Sequence, residues 1–248
     1  MRTINKRPPP NELVEWRQAR NAAADDATWP YNYDALRRSP LVIDAVNHRL
    51  FDEQGGICAY TGIRLAFLDD GEPWFHIEHL KAQDHCVRGE DTEYGNLVAC
   101  WPEPNRKIGA EYGAVKKDKW PFPVDAAKFV SPLLANCSAR FVYRKTGEIE
   151  AAQAGDTAAA ETIGRLALNH KELRAIRRSA IRGALQPRRG QRLKLTEARK
   201  IKTEMERAET ELNSGQNVSL RAFCFAIKPF IDREVRKLTA IQNNKANN

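Results

Sequence analysis

Apolar residues recur at helical spacing near both ends of the chain and alternate with polar ones in the middle. Leu41, Val42, Val46, Leu50 and Phe51 share one helical stripe and predict a helix over 40–53, closed by Gly55-Gly56. Ahead of it, residues 1–35 are polar and rich in Pro and Ala, and read as a loose arm with one short helix around 12–23. Trp16, Trp29 and Tyr31 in that arm are expected to dock on the body of the protein. Residues 73–80 alternate like a short strand, 96–101 form a second, and a polar loop over 81–95 separates them. A helix is expected to begin near Pro104 and run through Lys107.

The pattern over 139–151 is that of a hairpin turning at Thr146-Gly147. Beyond Asp156 the chain reads as helical. Ile163, Leu166, Leu173 and Ile176 form one stripe, broken by Pro187 and Gly190. A second helix is predicted over 196–212. A third starts at Ser219 as N-cap, carries Leu220, Phe223, Ile227, Phe230, Ile231, Val235 and Leu238, and is kinked by Pro229. Residues 242–248 read as a polar, frayed tail.

The chain has 248 residues, 42% hydrophobic and 29% charged, which excludes fibrous and mostly disordered classes. No apolar run approaches the ~18 residues of a membrane span, and the basic start lacks the apolar stretch of a secretory signal. A cytoplasmic protein without membrane contact is therefore expected. Five cysteines at irregular spacing, with no C-x-x-C pair, are expected to be reduced thiols. The net charge is +8, but residues 165–204 alone hold thirteen Lys/Arg against three Asp/Glu, so the remainder carries net −2. A charge run is usually a solvated face. Here Arg predominates, and Arg grips phosphate in a bidentate way, so a polyanionic partner is equally in view.

Functional side chains are densest in His76-Ile-Glu-His79, followed by Asn96 and Asn105. Phosphodiester hydrolysis needs a base for water, which suits an imidazole, and a hard cation bound by oxygen ligands. On a strand Glu78 and His79 point to opposite faces, so they share a site only if the strand ends there. The H-x-x-H spacing of His76 and His79 is not the H-E-x-x-H of a zinc protease, and His76 is expected to be structural.

This spacing resembles that of the HNH, or ββα-metal, nucleases: an acidic residue before a His, an Asn at the second strand, and an Asn or His early in the helix. The resemblance implies His79 as general base and Glu78 as metal ligand. It also implies Asn96 as the brace of the loop and of the His backbone, and Asn105 as second ligand for Mg²⁺ or Mn²⁺. Gly56-Ile-Cys-Ala-Tyr60, Gly95-Asn-Leu-Val-Ala-Cys100, Ser131-Pro132, the segment 140–147 and the segment 162–170 occur in order around it. With them the chain resembles the PtuB family, the HNH components of Septu anti-phage systems, above all those attached to retrons. That resemblance implies a PtuA-type ABC/SMC-like ATPase as partner. In the retron-linked form it also implies a reverse transcriptase with its RNA–DNA hybrid.

Two departures from the family remain. Cys58 and Cys100 are too few for the four-ligand zinc site of many relatives, so no structural zinc is expected. The helix register is also open, because residues 111–116 could take the metal-helix position with Glu111 near the site. The expectation is an α+β, mostly helical protein: an arm and helix over 1–55, a ββα-metal core over 56–125, and a hairpin plus basic helical region over 126–248. Its expected activity is hydrolysis of nucleic acid, with DNA or RNA (tRNA included) as target. Arg106, Lys107, Lys116, Lys117, Arg177, Arg178, Arg188 and Arg189 are the expected nucleic-acid contacts. The rival expectation is a degenerate, non-catalytic HNH scaffold that recruits nucleic acid or the ATPase.

Overall fold

The computed structural model describes residues 1–22, 32–102, 111–186, 188 and 191–246. Helices dominate. The described helices are α1 (Asn11–Ala22), α2 (Tyr33–Arg37), α3 (Pro40–Glu53), α4 (Ala114–Lys117), α5 (Thr157–Arg165), α6 (Lys171–Leu185), α7 (Leu195–Asn213) and α8 (Cys224–Ala246). Two small antiparallel sheets complete an α+β fold: β1 (His76–His79) with β2 (Leu97–Cys100), and β3 (Phe141–Tyr143) with β4 (Ile149–Ala151). Among the described residues, no helix is long and apolar enough to cross a membrane.

The first sheet is placed by α3. Pro40 starts that helix, where its missing N–H costs nothing, and Val46 and Leu50 bury its inner face. Gly55 and Gly56 follow at φ +64° and +65°. A Cβ at Gly55 would lie 2.5 Å from Leu220 Cγ, so only glycine lets the segment ahead of α8 pack there. Gln54, just past the helix, is buried. Its amide donates to the carbonyls of Ile57 (3.0 Å) and Ala99 (2.9 Å), and its Oε1 accepts from Ala99 N (2.8 Å). One side chain thus supplies the pairing that a third strand would have given β2. In β1/β2 the register is His76 with Cys100, Ile77 with Ala99, Glu78 with Val98 and His79 with Leu97.

The N-terminal segment is not the loose arm expected of its composition. Met1 and Ile4 are buried in the core, and Ile4 N donates to Pro132 O (2.8 Å). Lys6 reaches Glu53 Oε1 (2.6 Å) and Leu97 O (2.8 Å), tying the segment to α3 and β2 at once. Trp16 packs on the core with its Nε1–H on Ser39 Oγ (3.0 Å); Trp29 and Tyr31 lie outside the described residues. One continuous cluster of buried side chains draws on residues from all three sequence regions.

Three helical expectations shift in the structure. The stripe over 163–176 is divided, because Ala167 takes φ +46° and the chain turns between α5 and α6. The buried face of α6 is Leu173, Arg177, Ile181 and Ala184, which leaves Ile176 exposed. The last helix begins at Cys224 instead of Ser219. Leu220 N and Phe223 N are spent on Gly55 O (2.9 Å) and Gly62 O (3.1 Å), and Phe223 sits at φ +56°. Pro229 lies inside α8 as expected, and the helix continues through Ala246, past the start of the supposed frayed tail.

Candidate active site

β1 alternates as its sequence does, with His76 and Glu78 half-buried and Ile77 and His79 buried. Glu78 and His79 therefore start on opposite faces. They still line one cleft of about 740 Å³, because the strand ends at His79. Tyr33, Arg37, Asn47, Asp84, Lys117 and Lys119 border the same cleft.

His79 is held from two sides. Its Nε2 lies 2.8 Å from the carbonyl of Asp91, and a carbonyl only accepts, so Nε2 carries the proton. Nδ1 is then the lone-pair nitrogen, and it has no hydrogen-bond partner among the described residues. The Tyr33 ring meets the imidazole edge-on at 4.5 Å. Asp91 in turn fixes Tyr33, accepting from its backbone N at 2.7 Å. Burial pushes the His79 pKa below the ordinary imidazole value, outweighing the Asp91 and Glu78 contacts that raise it. The ring is thus a neutral imidazole with a fixed tautomer.

Glu78 faces the Lys117 ammonium and the His76 imidazole. Lys117 Nζ lies 2.9 Å from its Oε1 and His76 Nε2 lies 3.8 Å from its Oε2. Burial works against the carboxylate. The His76 imidazole and the Lys117 ammonium outweigh it and hold the carboxyl below its usual range. Lys117 also donates to the His79 backbone carbonyl at 2.7 Å. Its ammonium comes from the last turn of α4 and is fully buried, so one side chain clamps both residues of the Glu78-His79 pair.

Asn96 staples the loop over 81–95. Its Oδ1 accepts from Lys81 N (2.7 Å), and its amide donates to Lys81 O (3.2 Å) and Glu90 O (3.3 Å). It braces the residues just after His79, whereas the His79 carbonyl itself is held by Lys117. Glu111, the alternative near the metal position, pairs instead with His170 Nε2 at 3.0 Å and does not line the cleft. Asn105, Arg106, Lys107 and Arg189 lie outside the described residues. Cys58 and Cys100 are buried neighbours whose thiols share a hydrogen bond, and burial pushes the Cys100 thiol up.

A divalent cation needs hard donors with room around them. Among the described residues, no group of three or more His, Cys, Asp and Glu gathers for a metal ion. What fits is narrower: Glu78 Oε2, left over from the Lys117 pair and facing the His76 imidazole in the cleft.

Two of the expected nucleic-acid contacts turn inward, which corrects that expectation. Lys117 is committed to Glu78 and His79, as above. Arg177 sits on the buried stripe of α6, donating to Gly147 O (2.6 Å) and Leu168 O (3.0 Å), with its guanidinium over Tyr143. A side chain 1% exposed offers nothing to an outside phosphate. Lys116, Arg178 and Arg188 are exposed. Arg178 belongs to a groove of about 790 Å³ between α6 and α8, rimmed by Lys145, Arg182, Arg192 and Lys237 over an apolar floor that includes Ile181, Leu193 and Leu238. One acid, Glu234, stands among these five cations.

Tyr33, Asp91 and the clamp role of Lys117 were not foreseen from sequence. Tyr33 and Asp91 act through a ring edge and main-chain atoms, which leave no residue pattern. Lys117 shares a helix face with Ala114, one turn before it, and both are buried, a burial that shows only in the structure. No family model matches this chain, and no curated protein matches it.

Proposed function

We propose that this protein is a metal-dependent HNH endonuclease, with a ββα-metal centre built on β1 and β2. The observation that carries the reading is His79: a buried, neutral imidazole whose Nε2–H is tied to Asp91 O, leaving Nδ1 as a free base in the cleft that also holds Glu78. His79 takes a proton from water at Nδ1. Asp91 O fixes the tautomer, Tyr33 limits rotation of the ring, and Asn96 holds the loop that supplies Asp91. Glu78, with Asn105, would hold Mg²⁺ or Mn²⁺, and such an ion supplies charge neutralisation for a scissile phosphate. Exposed cations on the groove between α6 and α8 would meet the phosphate backbone, with an affinity that falls steeply with salt. In this reading the chain is the effector of an anti-phage defence system. It works with a PtuA-type ATPase and with a retron reverse transcriptase and its RNA–DNA hybrid.

One observation favours a second reading. Lys117 already neutralises Glu78 Oε1, as it would in a degenerate HNH scaffold that only recruits nucleic acid or the ATPase. A direct assay separates the two. Purified full-length chain is incubated with plasmid DNA and with total RNA, in Mn²⁺, Mg²⁺ or EDTA. The nuclease reading expects metal-dependent cleavage of one of them that His79→Ala abolishes. Cleavage indifferent to that substitution or to EDTA refutes it. In infected cells the scaffold reading expects His79→Ala to leave protection intact.

A further inference from the structure

A separate cavity, of about 730 Å³, opens where α7 and the first turns of α8 meet the N-terminal segment. It shares no lining residue with the cleft of Glu78 and His79, so it stands independently of the metal centre. Arg2 lines it. That residue is 7% exposed, and its Nη1 is shut off from solvent with no hydrogen-bond partner. Glu209, Cys224 and Cys137 act on its charge only through space. Arg177, just as deeply buried, donates to two carbonyls. An arginine keeps its charge when buried, and buried charges are ordinarily paired. Arg2 is thus a cation lacking its partner among the described residues.

The rest of the lining gives the chemistry of that partner. Arg221, Arg233 and Arg236 stand exposed around the same cavity and form no ion pair among the described residues. Of the four acids there, three are committed: Glu204 to Lys200 (3.9 Å), Glu211 to Arg207 (3.7 Å) and Asp232 to Lys228 (3.2 Å). Glu209 alone is left against four unpaired arginines. Cys224 and Phe225, which open α8, also border the cavity, so the positive end of that helix adds to the field. Between these charges the walls are apolar, formed by Ile201, Met205, Leu220 and Phe225. An uncharged ligand would leave Arg2 unpaired, and a bare anion would leave the apolar walls unused. The guanidinium fork matches phosphate oxygens two at a time, and the volume lies within the roughly 300–1,000 Å³ of small-ligand sites.

We propose that this cavity binds a small organic phosphate of nucleotide size, with its phosphate on Arg2 and its organic body against Met205 and Phe225. Arg233 and Arg236 supply further positive charge from α8. The ligand ties the N-terminal segment to α7 and α8. It also gives a buried guanidinium the anion it lacks, so binding stabilises the folded chain.

The test titrates AMP, ADP, adenosine and inorganic phosphate into the full-length protein in EDTA, read by calorimetry and by thermal denaturation. AMP and ADP are expected to bind once per chain and to raise Tm. Adenosine and inorganic phosphate are each expected to bind at least about tenfold more weakly, because each leaves half the site unused. Arg2→Met is expected to weaken AMP about 10- to 100-fold, the worth of one charged hydrogen bond. Without ligand that variant is expected to melt no lower than wild type, since it strands no partner. Should it fail to fold, Arg233→Ala/Arg236→Ala carries the test, because both positions are exposed. That double variant is expected to weaken ADP by about tenfold or more. The proposal is overturned if neither nucleotide binds wild type, if inorganic phosphate binds as tightly as AMP, or if nucleotide affinity is untouched by these substitutions. A 5′-phosphorylated oligonucleotide that binds through Arg2 while AMP and ADP do not overturns it as well.

Discussion

Replacing Lys117 with Met removes one ammonium and keeps the volume, which isolates its electrostatic work. Two interactions go: the 2.9 Å pair with Glu78 Oε1 and the 2.7 Å hydrogen bond to His79 O. Breaking a buried pair from one side costs ~3–5 kcal/mol, because a buried charge is left behind. Glu78 keeps 16% of its side chain exposed, on the cleft side, so water recovers part of that loss. The net cost is about 3 kcal/mol, or roughly 6–12 °C in Tm for a chain of this size. Urea and thermal denaturation of Lys117→Met, Glu78→Gln and the double variant measure it as a cycle. The double variant is expected to be more stable than the sum of the single losses allows, by about 1–3 kcal/mol, since removing both charges leaves neither unpaired. A Lys117→Met protein melting within a degree or two of wild type, or strict additivity, would refute the clamp.

The inward and outward arginines of α6 should separate cleanly. Arg177→Met is expected to lower stability by about 2–3 kcal/mol in urea denaturation and to leave the salt dependence of nucleic-acid binding unchanged, since it strands the Gly147 and Leu168 carbonyls. Reversing Arg178 and Arg182 to Glu should do the opposite, weakening binding and flattening its salt slope with little effect on melting. Gly147→Ala is expected to lose at least about 3 kcal/mol or to fail to fold. The residue sits at φ +84°, and a Cβ would lie 2.1 Å from Arg174 O. Asp156 caps α5 through Ala159 N (2.9 Å) and pairs with Arg140 (2.8 Å). The Arg140 hydrogen bond is the main reason its carboxyl is held below the ordinary 3.8, and burial opposes it. A depressed carboxylate stabilises the fold above its unfolded value, and that contribution is lost as pH falls through the folded one. Asp156→Asn keeps the cap acceptor and loses the pair. The stability gap to wild type should therefore be open at pH well above the ordinary 3.8 and shrink as pH falls below it in chemical denaturation; a gap that stays constant would contradict this.

Local pattern and tertiary context divide what the sequence made legible. β1, β2, the hairpin and the helices at 11–22, 40–53 and 195–213 follow from periodicity, because in each the apolar positions facing the core are local neighbours. The N-terminal segment and the start of α8 did not follow. Met1, Ile4 and residues 220–223 are ordered by distant partners such as Pro132, Gly55 and Gly62, which leave no periodic trace. Arg177 shows charge misleading a reader who had the spacing in hand. Leu173, Arg177, Ile181 and Ala184 form a stripe four, four and three residues apart, so the cation was on the buried face before its charge was considered. At the candidate site, Glu78, His79 and Asn96 were legible as residue types at a spacing. Lys117 was read as a surface cation and is the clamp, and Tyr33 and Asp91 enter through contacts that no motif encodes.

The central claim is that His79 Nδ1 is the base, and chemical rescue tests it most directly. His79→Ala removes the ring and leaves an opening in a cleft of about 740 Å³ that a small imidazole can enter. With purified full-length protein, saturating Mn²⁺ and the nucleic acid the wild type cleaves, the variant is expected to lose roughly 10²- to 10⁴-fold in rate. Part of that loss should return on adding imidazole, in proportion to its neutral form. A variant that cleaves as fast as wild type, or a wild type that cleaves no nucleic acid under any divalent cation, would contradict the account.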